Sequence, residues 1–463
     1  MIGRVKSDYL VCIWPLESKN MDITTTPSPY APAAVDPSAA ASNATASVSV
    51  AKPSVTASKA RLSGSATSGT VVTAQPARQA SIDIYRGLVM FLMLAEVLEL
   101  MSLAESYPAS AWAQWLSFHT THVEWIGVSL HDMIQPSFSF LVGVSLPFSI
   151  AARRWKGHTF GSTVWHAAWR SVILIGLGIL LRSLGKPHTN FTFDDTLTQI
   201  GLGYFALFLL AHASRAVQIG AMLLILVGYW TLFAAWPLPP SGFDWQTVGI
   251  ANDWPHLLSG LEAHWNKHLN PAGQFDRWFM NLFPRESVYT YSSGGYVTLS
   301  FIPTLATMLL GVLAGGILRD GGRPKHKMLL LCGGGLLLLF VGWGLGALGL
   351  CPVVKRIWTP SWVLLSGGIC FLFLGALFAI ADWRGWRGWA WPLMVIGANS
   401  IVAYVLSWTM ERPIKEFLLR HMGDSPFAVA GPAWEPILLG SAVLLAMWLI
   451  LLWLFRQRIF VRI

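Results

Sequence analysis

HTTHVEWIGVSLHDMIQPSFSFLVGVSLPFSIAARR, residues 119–154, passes from a polar cluster into a long apolar run and ends on two arginines. The apolar run, 133–152, is long enough to cross a bilayer, which takes about 20 residues. Ionisable groups beside a membrane helix cost free energy unless they are paired or used. The stretch therefore predicts a membrane fold and also the place of a functional site. Its ionisable residues are His119, His122, Glu124, His131 and Asp132.

The composition of the whole chain is that of a membrane protein. Of its 463 residues 54% are hydrophobic and only 12% are charged, whereas about a quarter of the residues of a soluble domain are charged. We predict an all-α, polytopic membrane bundle, and we assign the net charge of +9 to its loops rather than to nucleic-acid binding. The four cysteines have neither metal-ligand spacing nor the pattern of a disulfide framework.

Apolar stretches of nearly bilayer length predict about ten transmembrane helices. The stretch at 196–213 is the weakest of them, because Gln199 and Tyr204 interrupt it. The predicted spans are 84–104, 133–152, 166–184, 196–213, 217–236, 297–318, 328–350, 360–381, 389–409 and 434–455.

Two segments lie outside the predicted spans. Residues 1–79 are rich in Ala, Ser, Thr and Pro and predict a disordered tail ahead of a membrane domain at 80–463, with Ser81 capping its first helix. Met21 is an alternative start, because the residues before it resemble nothing that follows. The long connection 237–296 is rich in Trp and His, which suits either a sugar or another polar ligand, or anchoring at the membrane interface.

The positions of Lys and Arg predict the orientation. With the N-terminus in the cytoplasm, the cytoplasmic loops are dense in basic residues and contain few acids. Both termini are then cytoplasmic, and the cluster within 119–132 lies at the outer face. The basic residues of these loops and of the C-terminal tail are Arg153, Arg154, Lys156, Arg215, Arg319, Arg323, Lys325, Lys327, Arg384, Arg387, Arg456, Arg458 and Arg462.

His122 and Asp132 are the candidate catalytic pair. If the chain turns back at Gly127, the carboxylate at the start of the next helix can face the imidazole, which is the arrangement of a general base. A neutral histidine there can take either a proton or an acyl group from a thioester. The alternative is that Asp132 caps its helix and His122 faces water. His119 and His131 lack a fixed metal-ligand spacing, so we expect no metal.

From Ser81 onward the chain resembles the heparan-α-glucosaminide N-acetyltransferase family. The pattern His-x2-Trp-x-Gly-x4-Asp-x3-Pro, which begins at His122, is the most specific part of the resemblance. The segments that carry the resemblance are SIDIYRG at 81–87, HVEWIGVSLHDMIQPSFSFLVGVSLPFS at 122–149, TQIGLGY at 198–204, YSSGGYVTLSFIPTLATMLLGVLAG at 291–315, KRIWTPSWVLLSGG at 355–368 and IGANSIVAYVLS at 396–407.

The resemblance implies transfer of an acetyl group from cytoplasmic acetyl-CoA to an amine across the membrane. It implies that His122 is the active-site histidine and Asp132 its carboxylate neighbour. One segment departs from the family: AEVLELMSLAE at 95–105 stands where lysosomal members carry an Asn and a Gly-rich stretch. Glu96 is expected to face the bundle interior. There it could accept a proton from the acceptor, indicate a different substrate, or indicate that acyl transfer has been lost.

Four further residues are candidates for contact with CoA. Arg86, Arg153 and Arg154 could hold its phosphates. The alternatives are an intrahelical Asp83–Arg86 pair and purely topogenic loop charges. Asn399 lies within a predicted span, where it either lines a CoA tunnel or joins two helices by a hydrogen bond.

We predict a membrane acyltransferase in a bacterial inner membrane. It would move acetyl from acetyl-CoA to a periplasmic glycan or amino sugar, with His122, Asp132 and Glu96 at the reaction centre. A homodimer is compatible with this interpretation. The alternatives are a proton-coupled transporter, in which Glu96, Asp132 and His122 form a relay, and a non-catalytic membrane scaffold. The discriminating observation is whether one continuous cavity joins His122 to the cytoplasmic basic loops. A cavity closed on the cytoplasmic side would count against the use of acyl-CoA.

Overall fold

The computed structural model describes residues 79–461. The predicted tail lies outside this range except for Gln79. Within the described range the chain is helical and has no strand, apart from one isolated bridge between Ile126 and Val354. The α-helices are α1 (Ala80–Leu94), α2 (Met101–Ser106), α3 (Ala111–Thr120), α4 (Ile134–Trp155), α5 (Phe160–Ser183), α6 (Thr196–Leu210), α7 (Arg215–Ala234), α8 (Pro271–Phe279), α9 (Phe301–Arg319), α10 (Pro324–Ala347), α11 (Pro360–Leu377), α12 (Trp391–Ala398), α13 (Ser400–Thr409), α14 (Glu411–Met422) and α15 (Glu435–Arg456).

Short helical turns complete the secondary structure. The 3₁₀ turns are Ala95–Leu98, His131–Met133, Trp245–Val248, Gly260–Trp265, Met280–Leu282, Thr298–Ser300, Gly388–Ala390 and Ala428–Ala430. A π-helical turn, Phe378–Trp383, extends α11.

The structure confirms an all-α, multi-pass membrane protein. Among the described residues, seven helical segments are long and apolar enough to cross a bilayer. A helix pair bent by 70°, Gly388–Ala398 with Ser400–Thr409, makes an eighth if it is one span. The other two predicted spans correspond to the 15-residue helices α1 and α6. The seven segments are His131–Trp155, Phe160–Ser183, Arg215–Ala234, Thr298–Arg319, Pro324–Ala347, Pro360–Trp383 and Glu435–Arg456.

The first helix differs from its predicted bounds at both ends. It begins before Ser81, because the carboxylate of Asp382 accepts the backbone N–H groups of Ala80 and Ser81 at 2.9 and 3.0 Å. It ends at Leu94, and Glu99 follows in a left-handed conformation with φ 47°. Glu96 therefore lies beyond the end of the helix rather than within a membrane span.

Close helix packing depends on small residues. A Cβ at Gly143 of α4 would overlap the carbonyl oxygen of Met308 in α9, and one at Gly311 would overlap that of Phe140. Such contacts are typical of membrane helices, which gain stability from direct backbone approach rather than from excluding water.

The connections between helices fall on two faces of the bundle. The first, here called the site face, includes 95–130, 184–195, 235–297, 348–359 and 410–434. The second, the basic face, includes 156–159, 211–214, 320–323, 384–390 and 457–461. Ion pairs between distant connections join residues of the same face. Lys355 pairs with Asp132 at the site face, and Arg215 pairs with Asp320 at the basic face.

The long connection 237–296 is folded onto the site face. Its Trp265 is fully buried against Phe233 at the end of α7, in a cluster that also holds Trp125 and Val354. Trp278, in contrast, is 61% exposed. Part of the tryptophan content therefore forms a small core beneath the connection, beside the predicted site.

Candidate active site

The structure brings His122 and Asp132 together. After α3 the chain turns back at Gly127, whose φ of 123° favours glycine, and its N–H binds the carbonyl of Val353 at 3.0 Å. Asp132 then enters the 3₁₀ turn that begins the next span. As a result, the Nδ1 atom of His122 lies 2.9 Å from Oδ1 of Asp132.

The carboxylate of Asp132 is held by donors on both oxygens. Its Oδ2 accepts the N–H groups of Val123 and Ser129, each at 3.2 Å, and lies 3.0 Å from the Ser129 hydroxyl. Its side chain is 1% exposed, whereas that of His122 is 40% exposed. The buried carboxylate is thus fixed, and it orients an imidazole that remains accessible.

Lys355 completes the cluster, and the sequence did not indicate it. Its Nζ atom lies 3.2 Å from Oδ1 of Asp132 and 3.1 Å from Nδ1 of His122. The residue is only 6% exposed and comes from the connection between α10 and α11. It stands at the start of the KRIWTPSWVLLSGG segment, but nothing local assigns it to a histidine 233 positions away.

The surroundings favour a neutral imidazole at His122. Partial burial lowers the pKa of His122 below its ordinary value of 6.5, and the nearby Lys355 and Arg356 lower it further, while the hydrogen bond to Asp132 raises it. Because a carboxylate only accepts, the Nδ1 atom carries the proton of that bond. The lone pair of the neutral ring is then on Nε2, as a base or nucleophile requires.

A cavity of about 720 Å³, here called the site cavity, opens beside His122. Its wall includes Glu96, His131 and Lys355 together with His122, and also a second polar group that is built on Asp195. A pocket of this volume is within the range that holds small ligands.

Glu96 lines the site cavity, as a residue at the end of α1. Its side chain is 52% exposed, and its Oε1 atom lies 3.5 Å from Nε2 of His131. Partial burial, with the nearby carboxylate of Glu411, raises the pKa of Glu96 to about 7. The group can therefore exchange a proton near neutral pH.

Asp195, another residue that the sequence did not indicate, is the centre of the second polar group on this wall. Arg182 donates to the Oδ1 atom of Asp195 at 2.9 Å. The hydroxyl of Tyr404 lies 3.2 Å from Oδ1 and 3.1 Å from Oδ2, and it donates to this carboxylate. The guanidinium of Arg182 also lies 4.4 Å from the ring of Trp408. These contacts join α5, α6 and α13 at the site face.

A second cavity, of about 790 Å³ and here called the basic cavity, opens toward the basic face. Arg86 lines it and donates to the Ser145 hydroxyl at 2.7 Å, and it also lies 3.5 Å from the carboxylate of Asp83. The other cations on its wall are Arg153, Lys156 and Arg170.

Arg170 is a further residue that sequence reasoning missed. It donates to the Tyr204 hydroxyl at 3.1 Å, but its buried Nε atom has no hydrogen-bond partner in the described part of the chain. A buried donor of this kind is rare, and an anion in the cavity would satisfy it. Arg154, by contrast, is exposed and does not line either cavity.

Asn399 lies next to the basic cavity without lining it. Its amide donates to the carbonyl of Ile459 at 2.9 Å, and its oxygen accepts the N–H of Val461 at 3.0 Å. It therefore holds the C-terminal segment against the break between α12 and α13. The neighbouring Ala398 and Ser400 do line the cavity.

The two cavities lie back to back, separated by a layer here called the partition. On α4, Gln135 lines the site cavity and Phe138 the basic cavity; on α13, Tyr404 and Ile401 divide in the same way. Three residues of helix rise about 4.5 Å. On α1 the two linings are seven residues apart, at Arg86 and Met93, and on α5 they are eight apart, which is about 10–12 Å. The partition is therefore about one to two turns thick. The rings of Phe138 and Tyr404 stack within it, with centroids 6.3 Å apart. Across the described residues, the two cavities share no lining residue.

The remaining histidines of the cluster are engaged in contacts within the chain. His119 accepts the N–H of Leu130 at 3.3 Å, and the ring of His131 lies 4.3 Å from that of His122. Among residues 79–461, no group of three or more His, Cys, Asp or Glu side chains is placed to hold a metal ion.

Comparison with curated proteins gives matches over most of the chain. Heparan-alpha-glucosaminide N-acetyltransferase of Homo sapiens is 24% identical over 378 residues, which is 72% of this chain and 53% of that protein. The protein of the same name from Mus musculus is 23% identical over 369 residues, or 70% of this chain and 52% of that protein. No protein-family model matches the chain.

The chain is related to these heparan-alpha-glucosaminide N-acetyltransferases. It spans about half the length of the curated relatives that it matches.

Proposed function

We propose that the protein is a membrane acyltransferase that moves an acetyl group from acetyl-CoA, bound at the basic face, to an amine at the site face. The observation that carries the proposal is the oriented imidazole of His122 in one cavity, backed across a thin partition by a second cavity rich in arginine. The relationship to N-acetyltransferases supports the same reaction class.

The basic cavity suits the donor. CoA carries phosphate groups, and arginine and lysine bind phosphates through short, charge-assisted hydrogen bonds. Arg86, Arg153, Lys156 and Arg170 line this cavity, whose carboxylate, Asp83, is already paired with Arg86. We extend the proposed donor site from Arg86 and Arg153 to Arg170. Arg154 and Asn399 stay as proposed contacts at its edge.

The density of basic residues in the short loops supports a cytoplasmic position for the basic face. Acetyl-CoA is then supplied on that side, and both termini are cytoplasmic. We propose a bacterial inner membrane, with the site cavity opening to the periplasm.

The site cavity suits an acceptor that carries an amine. Glu96, Asp194 and Glu411 line it together with the paired Asp195. Carboxylates near neutral pH attract an ammonium group, and Glu96 can remove a proton from it. A glycan or amino sugar is the acceptor class that we propose, in keeping with the names of the relatives.

The chemistry centres on Nε2 of His122. In direct transfer, Nε2 takes a proton from the amine while the amine nitrogen bonds to the thioester carbon; the C–S bond then breaks, and the CoA thiolate takes up a proton. In the two-step route Nε2 bonds to the acetyl carbon while the C–S bond breaks, and the CoA thiolate leaves and takes up a proton. The amine nitrogen then bonds to the acetyl carbon, the bond from that carbon to Nε2 breaks, and the amine proton passes to the freed Nε2. Asp132 holds the ring orientation in both routes.

The test is thiol release from acetyl-CoA by the purified full chain, with glucosamine as the acceptor. We expect His122→Ala to remove acceptor-dependent release, by about 10²- to 10⁴-fold as for a lost acid–base group. His119→Ala, which changes a histidine on the neighbouring helix end, should retain it. Unchanged release by a folded His122→Ala protein would contradict the proposal.

A second measurement separates the two routes. Without an acceptor, a two-step enzyme retains labelled acetyl on the peptide that contains His122, whereas a direct-transfer enzyme retains none.

A transporter remains the second candidate because of the partition. Two cavities that open to opposite faces and meet at a thin layer are also what alternating access requires. Proton-coupled uptake of an amino sugar into proteoliposomes, without any dependence on acetyl-CoA, would favour the transporter over the transferase.

A further inference from the structure

Lys355 belongs to the turn before α11, where its carbonyl accepts the N–H of Trp358 at 2.9 Å, but its side chain is buried away from that turn's hydrogen bonds. Its ammonium is buried at the base of the site cavity, between the carboxylate of Asp132 and the ring of His122. Burying a charged side chain costs free energy, and the cost is offset when a partner is close. The ion pair with Asp132 at 3.2 Å supplies that partner.

The hydrogen-bond geometry limits what this ammonium can do. The Oδ1 atom of Asp132 receives two donors, Nδ1–H of His122 at 2.9 Å and Nζ of Lys355 at 3.2 Å. Because Nδ1 carries a proton in this arrangement, the 3.1 Å separation between Nζ and Nδ1 places two donor groups side by side. The nearby ammonium of Lys355 therefore disfavours protonation of His122 at Nε2, which would make the imidazole positively charged.

We propose that Lys355 is a positioning residue that acts through His122 and Asp132. Its cation shares the Asp132 oxygen with the imidazole, which fixes the ring with Nε2 toward the site cavity, and it keeps the resting imidazole uncharged. In a carboxylate–histidine pair without such a cation, the carboxylate favours the imidazolium. Lys355 offsets this effect, so that the Nε2 lone pair is available at neutral pH.

All charged groups around the imidazole enter this balance. Asp132 and His131 face it from the start of α4, and Lys355 and Arg356 from the connection before α11. Glu96 at the end of α1 pairs with His131, and Tyr296 lines the same cavity. Lys355 is the cation that contacts the ring directly.

The inference rests on the proposed function only in saying what the neutral imidazole is used for. The effect of Lys355 on the protonation of His122 can therefore be tested without measuring turnover. Diethyl pyrocarbonate modifies neutral imidazoles, and peptide mass spectrometry of the full chain gives the extent of modification at His122 as a function of pH. The exposed His326 of the basic face serves as an internal reference. We expect Lys355→Met to raise the His122 midpoint by about one pH unit, with no change at His326.

Lys355→Arg is the matched control, because it keeps a cation at the same place. Its His122 midpoint should stay close to that of the wild-type protein, even if the longer side chain slows transfer. An unchanged or lowered midpoint in Lys355→Met would overturn the inference. So would an equal upward shift in both variants, because the effect would then come from disturbed packing rather than lost charge.

The pH dependence of transfer gives a second readout. The acid limb of kcat/KM should move upward in Lys355→Met by the same amount as the modification midpoint. If the wild-type protein releases no CoA while the midpoint still shifts, the electrostatic role of Lys355 stands and the proposed transferase function fails.

Discussion

At the residue scale, the site is a histidine whose protonation is set by its neighbours. Asp132 fixes Nδ1, and partial burial with Lys355 disfavours the charged ring. In the proposed reaction an acyl carrier or base acts only when Nε2 is free, so the protonation state of this one ring would determine the rate.

This arrangement predicts the acid limb of the pH profile. Transfer should fall as the pH drops through the pKa of His122, because protonation removes the Nε2 lone pair. Since that pKa is lowered from its ordinary value of 6.5, the loss should occur below about pH 6.5. The measurement is kcat/KM for acetyl-CoA between about pH 4.5 and 8. A limb centred above neutral pH in the wild-type protein would show that the neutral histidine is not the acting form.

The part of the site that was predicted from sequence is the local part. His122 and Asp132 lie ten positions apart, and a turn at Gly127 is enough to bring them together. Lys355 is 233 positions from His122, and Tyr404 is 209 positions from Asp195. Contacts of that separation are created by helix packing, and no spacing in the chain encodes them.

At the element scale, the core depends on backbone contact between α4 and α9. The Cα of Gly311 faces the carbonyl of Phe140, and Gly143 faces that of Met308, which leaves no volume for side chains. α4 also carries Phe138 of the partition and continues from the turn that holds Asp132. A change in the distance between α4 and α9 would therefore move residues that line both cavities.

Gly311→Val should separate α4 from α9 and destabilise the protein by about 1–3 kcal/mol, as overpacking does in other cores. The measurement is thermal unfolding of the purified protein in detergent. Gly333→Val is the matched control, because no atom lies near a Cβ added at this position of α10. Equal unfolding temperatures for the two variants would count against the packing argument.

Hydropathy predicted the positions of the long helices, but it did not predict where the first helix ends or where the span 389–409 bends. The seven long segments and α6 fall where apolar stretches predict them. The first span was predicted too far along the chain, because apolar residues continue past Glu96 while Glu99 turns the backbone. The 70° bend at Asn399 was also missed, since its amide bonds the distant C-terminal segment, which hydropathy does not register.

At the scale of the whole molecule, the protein presents one cavity to each face of the membrane. The charged residues of the site cavity are carboxylates mixed with cations, whereas those of the basic cavity are mainly cations on an otherwise largely apolar wall. This difference in charge supports the proposal that the two cavities bind different ligands, an acceptor and an anionic donor. The continuous passage that the sequence interpretation asked for is interrupted by the partition.

Arg170→Gln should raise the KM for acetyl-CoA by about 10- to 100-fold, because a hydrogen bond to a charged group contributes about 1.5–3 kcal/mol. The KM for the acceptor should change little, since Arg170 lies in the other cavity. Arg323→Gln, which removes an exposed arginine of the basic face that does not line the cavity, is the control. If both variants raise the KM equally, the cavity does not bind the donor.

The thinness of the partition has an electrical consequence. If water fills both cavities, most of the membrane voltage drops across the layer that holds Phe138 and Tyr404, rather than across the full bilayer. Moving one elementary charge through that layer costs about 2.3 kcal/mol per 100 mV. An acetyl group that is bonded to an uncharged carrier crosses without this cost, while phosphates and protons do not. The proposed transferase would thus deliver acetyl groups across the membrane of an energised cell without opening a path for protons.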